Sequence, residues 1–271
     1  MDNTFFIPGD DITRLPPVTP TAKTLHIIFV VDNSGSMRMP ASGSESRMEA
    51  VNRAFREMIP ALQDKQGSVG DAFTILISVM SFNQNPEWLV KAQPVSTYYF
   101  TDIPESEYAA YYGRALRSLN ACLSRHGEGI ITQQGKIAAP YIMFMTDGAP
   151  TEDDPYEDAL ADLKENGWFD IAQRYAVLIG EDTIHDANAR SAVAGFVKDE
   201  REGIIDAADA TDIISAVSAK TIHVIGQMTR RNGPVDEETQ GGSSSGGTTG
   251  IVDPFGKFTT GGSNVGPDSP F

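Results

Sequence analysis

The sequence predicts an α/β domain built on a doubly wound, mostly parallel sheet. Three observations carry this reading. Apolar runs without alternation recur at residues 23–31, 73–82, 141–146 and 175–179. Continuous hydrophobicity of that length marks strands covered on both faces. Segments with helical spacing separate the runs, as βαβ units require. Finally, two of the runs stop at an aspartate, Asp32 and Asp147. In doubly wound sheets ligands collect outside the carboxyl ends of strands.

Residues 1–22 contain Pro8, Pro16, Pro17 and Pro20 and read as an extended arm. Phe5, Phe6 and Ile7 either dock on a neighbouring surface or belong to a frayed terminus. After the first strand, the Gly/Ser-rich piece 34–44 is a loop. Ser46 and Glu49 then form an S-x-x-E capping box. Met48, Val51, Phe55, Met58 and Leu62 follow at helical spacing, and Pro60 is expected to kink or shorten that helix. Residues 88–95 form a less apolar strand ending near Pro94, which suits a sheet edge.

The connection 96–112 carries Tyr98, Tyr99, Tyr108, Tyr111 and Tyr112. A helix opens near Gly113 with Ala115, Leu116, Leu119 and Leu123 inward, and Gly127 and Gly129 end it. The helix after Asp147 is specified locally: Asp154 as N-cap, Pro155 at the first helical position, Glu157 reaching back, and Tyr156, Leu160 and Leu163 as its apolar stripe. A helix at 187–197, a short strand at 203–206 and a helix at 211–224 complete the pattern. The organisation is thus an arm (1–22), an α/β domain (23–225) and a Gly/Ser-rich tail (226–271). Phe255, Phe258 and Phe271 are the tail's anchoring candidates.

Composition narrows the function. The 271 residues hold 21 Lys+Arg against 37 Asp+Glu, a net charge of −16, with no basic run. That disfavours nucleic acid or an anionic membrane and favours a cation or a basic partner. Cys122 is alone, so no internal disulfide forms. Its helical neighbours Leu116, Leu119 and Leu123 place it in the core. No apolar run reaches the ~20 residues of a membrane span. The start Met1-Asp2-Asn3 lacks a secretory pattern, so a cytoplasmic protein is expected. His26, His126, His185 and His223 lack metal-ligand spacing and read as structural or surface residues.

Asp32-x-Ser34-x-Ser36 offers a carboxylate and two hydroxyls on a turn at a strand end. These are hard oxygen ligands, suited to Mg²⁺ or another hard divalent cation rather than to zinc. A lone D-x-S-x-S more often satisfies its own turn. Asp147 at a second strand end turns the weighing toward a cation site. The acidic neighbours Glu152, Asp153 and Asp154 are read as a helix cap plus solvated charge.

Asp32-x-Ser34-x-Ser36 followed by Asp147-Gly148 resembles the metal-ion-dependent adhesion site (MIDAS) of a von Willebrand factor A (VWA) domain. The piece Thr146-Asp147-Gly148-Ala149-Pro150-Thr151 is similar to the bacterial cytosolic branch of TerY-type tellurium-resistance proteins. The resemblance covers about residues 23–225. It implies a six-stranded sheet with one antiparallel edge strand and helices on both faces. It further implies Mg²⁺, with Mn²⁺ or Ca²⁺ as alternatives, bound directly by Ser34 and Ser36 and directly or through water by Asp32 and Asp147. A protein partner's acidic side chain then fills the open position. The family's third hydroxyl, a threonine, is replaced here by Ala110. Ser106 or Thr101 substitutes only if the loop folds differently, and Tyr111 and Tyr112 are placed to line the contact surface.

The expected function is a non-enzymatic, metal-dependent protein-binding module in a stress-response, tellurite-resistance-like or defence assembly. The alternative is an assembly subunit with a degenerate site and a docking tail. A Mg²⁺ phosphatase with Asp32 as nucleophile is weaker. Position 34 is serine where an acid/base carboxylate belongs, and Arg38 is the sole basic group near the motif.

Overall fold

Strand β1, Lys23–Asp32, is buried almost throughout and forms the centre of the sheet. The computed structural model describes residues 23–231, apart from 70–72, 128 and 132–135. The arm (1–22) and nearly all of the tail, with Phe255, Phe258 and Phe271, lie outside the described residues. Five further strands complete the path: β2 Phe73–Phe82, β3 Pro86–Pro94, β4 Tyr141–Thr146, β5 Gln173–Ile179 and β6 Ile204–Ala207. Their order is β3-β2-β1-β4-β5-β6, and Lys136–Ile137 adds a two-residue pairing to β1. Only β3 runs antiparallel, on the edge. The six-stranded doubly wound sheet is therefore as expected, with one short extra strand.

Alternate β1 side chains point to opposite helical layers. Leu25, Ile27, Phe29 and Val31 face α1 (Arg47–Val69) together with the C-terminal helices. Ile28 and Val30 face α2 (Tyr112–Cys122), α3 (Tyr156–Lys164) and α4 (Ala187–Ala194). Phe29 meets Phe55 of α1 edge-on at 4.9 Å. On the other side Tyr112 meets Phe144 at 5.0 Å. Both faces are thus closed by apolar side chains, which explains the unbroken hydrophobic runs.

Local chemistry set most element boundaries. The capping box forms reciprocally: Glu49 N–H donates to Ser46 Oγ at 3.0 Å and Ser46 N–H to Glu49 Oε2 at 2.7 Å. Pro60 neither ends nor shortens α1, which runs on to Val69. Pro60 and Arg56, whose carbonyl loses its partner, both lie on the exposed face, where water can take that bond. α2 ends at Cys122, several residues before Gly127. The helix expected at 211–224 continues further. α5 (Ala210–Ile214) passes through a π turn at Ser215–Ala219 into α6 (Lys220–Arg231).

Asp154 does not cap its own helix. Pro155 occupies the N-cap position of α3. The Asp154 carboxylate instead accepts from Gly113 N–H at 2.8 Å and caps α2 across the interhelical gap. A Cβ on Gly113 would sit 2.6 Å from Asp154 Oδ1, so glycine makes this approach possible.

Candidate metal centre

Strand order reverses between β1 and β4, and the sequence-predicted residues meet there. Val31 pairs with Met145, so Asp32 and Thr146 end the two strands side by side. Thr146 Oγ1 donates to Asp32 Oδ2 at 2.8 Å, and Ser34 N–H donates to Asp32 Oδ1 at 2.8 Å. The turn after Asp32 becomes a short 3-10 helix, Gly35–Arg38. This curl brings Ser34 Oγ to 3.1 Å from Ser36 Oγ. Ser36 Oγ in turn donates to Asp147 Oδ1 at 2.7 Å, across 111 residues of sequence. Asp32, Ser34, Ser36 and Asp147 are therefore one constellation.

They line an open pocket of about 360 Å³ whose other wall is formed by Glu107, Tyr108, Ala109 and Ala110, with Gly148, Ala149 and Thr151 alongside. Gly35 N–H donates to Tyr108 O at 2.9 Å and Tyr111 N–H to Asn83 O at 3.0 Å, which holds that wall against the turn. Ala110 stands in the wall, with a carbonyl that accepts from Thr151 Oγ1 at 2.8 Å. Neither proposed substitute enters the pocket: Ser106 Oγ accepts from Tyr108 N–H, and Thr101 is exposed. Thr151 is the further hydroxyl residue at the pocket, and the sequence reading did not assign it a role. Tyr112 is also not a surface residue. It is buried, with its hydroxyl 2.6 Å from Thr146 Oγ1. Tyr108, 60 % exposed, is the tyrosine on the rim.

Burial raises the pKa of Asp32, reinforced by the nearby Asp147 charge and opposed by the bonds from Ser34 and Thr146. Burial also raises Asp147, opposed by Ser36 and by Arg47. Two buried carboxylates facing one pocket favour a cation between them. Among the described residues no group of three or more His, Cys, Asp or Glu is placed to hold a metal. An ion here has to be completed by the serine hydroxyls, and this donor set of carboxylate and hydroxyl oxygens fits a hard divalent cation.

Sequence reasoning missed Arg47, the first residue of α1. Its Nη1 donates to Asp147 Oδ2 at 2.9 Å, and Nη2 pairs with Asp182 in the turn after β5. Thr183 in the same turn donates to the Asp147 carbonyl at 2.6 Å. A basic residue in the first turn of a helix, against the macrodipole, was the available signal.

No family model and no curated protein matches the chain. Solved structures do. The SpaC pilus adhesin of Lactobacillus rhamnosus GG superposes with a TM-score of 0.57 at 14 % identity, covering 77 % of this chain and 31 % of that one. The PilB minor pilin of Streptococcus sanguinis gives 0.54 at 16 %, covering 81 % and 65 %. Proximal thread matrix protein 1 of the mussel byssus, with a zinc-occupied MIDAS motif, gives 0.52 at 14 %, covering 75 % and 48 %. The chain thus spans about half the length of the mussel protein and less than two thirds of either bacterial one. At these identities the likeness establishes the fold alone, that of a VWA domain. Among the described residues no helix is long and apolar enough to cross a membrane.

Proposed function

We propose that this chain is a non-enzymatic protein-binding module whose Asp32, Ser34, Ser36 and Asp147 hold a divalent ion that engages an acidic side chain of a protein partner. The observation that carries this reading is the Ser34–Ser36–Asp147 oxygen chain, with spacings of 3.1 and 2.7 Å, at an open pocket. Hard carboxylate and hydroxyl oxygens are the donors that Mg²⁺ takes, with Mn²⁺ as its close substitute. When bound, the ion supplies a positive point of attachment for an outside carboxylate.

The chain's own residues do the rest. Ser34 and Ser36 present neutral oxygens. Thr146 and the Ser34 amide fix the Asp32 carboxylate, and the 107–110 wall confines the approach. A phosphatase is disfavoured because Ser34 stands where an acid/base carboxylate belongs and Arg38 is paired with Glu107. A pilus adhesin among the structural neighbours accords with a binding role. Placement in a cytoplasmic, TerY-like stress or defence assembly rests on the resemblance of residues 146–151. The second reading, an assembly subunit whose site no longer binds metal, is favoured by Ala110 at the threonine position.

Melting curves distinguish the two. Mg²⁺ or Mn²⁺ at about 100 times Kd adds ~2.7 kcal/mol. For a domain of this size that raises Tm by roughly 5–10 °C. Asp32→Ala removes the effect. Curves unchanged by chelator would sink the metal reading. Affinity purification with wild type beside Asp32→Ala then identifies the partner as the protein lost only from the variant.

A further inference from the structure

Arg47 is a buried charge that the metal reading leaves unused. Its side chain is 5 % exposed, and that of its partner Asp147 is wholly buried. Its Nε is buried with no hydrogen-bond partner among the described residues. The fold makes specific room for it: Gly180 sits at φ +98, and a Cβ there would lie 2.6 Å from the guanidinium carbon. Burying an arginine at a helix N-terminus runs against both desolvation and the helix dipole, and such a pair is a poor source of stability. Its placement on a site carboxylate calls for another explanation.

Charge supplies one. Asp32 and Asp147 alone would cancel a divalent ion and leave nothing to draw a further anion. Arg47 offsets Asp147, so a bound divalent ion keeps one unit of positive charge within the buried site. Asp182, the other partner of Arg47, has a side chain 64 % exposed, where water weakens its contribution. We propose that Arg47 is the specificity-determining counter-cation of the site: it neutralises Asp147 and thereby leaves the bound ion able to recruit an outside carboxylate. This deepens the metal-dependent reading above and rests on it.

The test uses the full chain, Mn²⁺ and acetate. Loss of the free Mn²⁺ electron paramagnetic resonance signal reports metal binding. Water-proton relaxation reports acetate displacing water from the bound ion. Arg47→Gln keeps a hydrogen-bond donor but removes the charge. At saturating Mn²⁺ its acetate affinity is expected to fall about tenfold or more. Arg47→Lys restores the charge and is expected within about threefold of wild type. Asp182→Asn leaves the guanidinium less compensated and is expected to raise acetate affinity by about 1.5- to fivefold.

A merely structural role would weaken Mn²⁺ binding in the Gln and Lys variants alike and would not separate them by charge. Mn²⁺-loaded Arg47→Gln with wild-type or tighter acetate affinity would overturn the proposal. If that variant does not fold, Asp182→Asn decides: unchanged or weaker acetate binding overturns it. A wild type that takes up no Mn²⁺ overturns the metal reading as well, an outcome distinct from a loaded site indifferent to Arg47.

Discussion

His26 and Arg47 mark the two ways a single polar side chain is buried in this domain. His26 lies within β1, fully buried, and neither ring nitrogen has a hydrogen-bond partner among the described residues. Desolvation lowers its pKa to about 4. Between pH 6.5 and 4 the unfolded chain therefore takes up a proton that the folded chain refuses. Stability contributed by the neutral imidazole is full above pH 6.5 and is lost as pH falls, by about 3 kcal/mol at pH 4. The raised pKa of Asp32 acts in the opposite sense, favouring the metal-free fold on acidification. The two are separated by comparing chelated wild type with His26→Leu in urea. The gap between them is expected to shift by about 3 kcal/mol in favour of the variant from pH 7 to pH 4. A pH-independent gap would refute the burial argument. At this scale the sequence was legible where a motif was local. Asp32, Ser34 and Ser36 lie on one turn, and Asp147 repeats the strand-end aspartate. Arg47 was not legible, because its partners Asp147 and Asp182 are 100 and 135 residues away.

Elements were read best where their own residues supply both ends of a bond. The Ser46–Glu49 box formed as its spacing requires, and β2 and β4 match their apolar runs. Asp154 shows the limit. An aspartate before a proline looks like a cap for the helix that follows, yet its carboxylate serves α2 because α2 and α3 pack side by side. Asp154→Ala is accordingly expected to lower stability by about 1 kcal/mol through loss of the α2 cap. Hydrogen exchange is expected to speed up at the first turn of α2, around Gly113, more than at α3. Faster exchange at α3 alone would restore the local reading. Pro60 failed as a breaker for a related reason: tertiary burial of Met48, Val51, Phe55, Met58 and Leu62 keeps α1 helical on both sides of it.

Over the whole molecule, strand-and-helix alternation made the fold class legible, since each buried strand needs a helix on either face. The strand order was not contained in that alternation, and the family resemblance implied only six strands with one antiparallel edge strand. Neither route placed the wall at 107–110, whose position depends on backbone bonds from Gly35 and Tyr111 to distant partners. The order β3-β2-β1-β4-β5-β6 also has a kinetic side. It divides the candidate ligands Asp32, Ser34, Ser36 and Asp147 between two chain segments more than a hundred residues apart, and each half alone is an ordinary turn. A cation therefore gains nothing until β1 and β4 lie next to each other, after the costly loop closure has been made. Mg²⁺ is expected to act as a brake on leaving the native state rather than a guide toward it. At about 100 times Kd the unfolding rate drops roughly 100-fold while the refolding rate stays constant. Stopped-flow refolding that accelerates with Mg²⁺ would mean instead that the two strand ends already meet in the transition state.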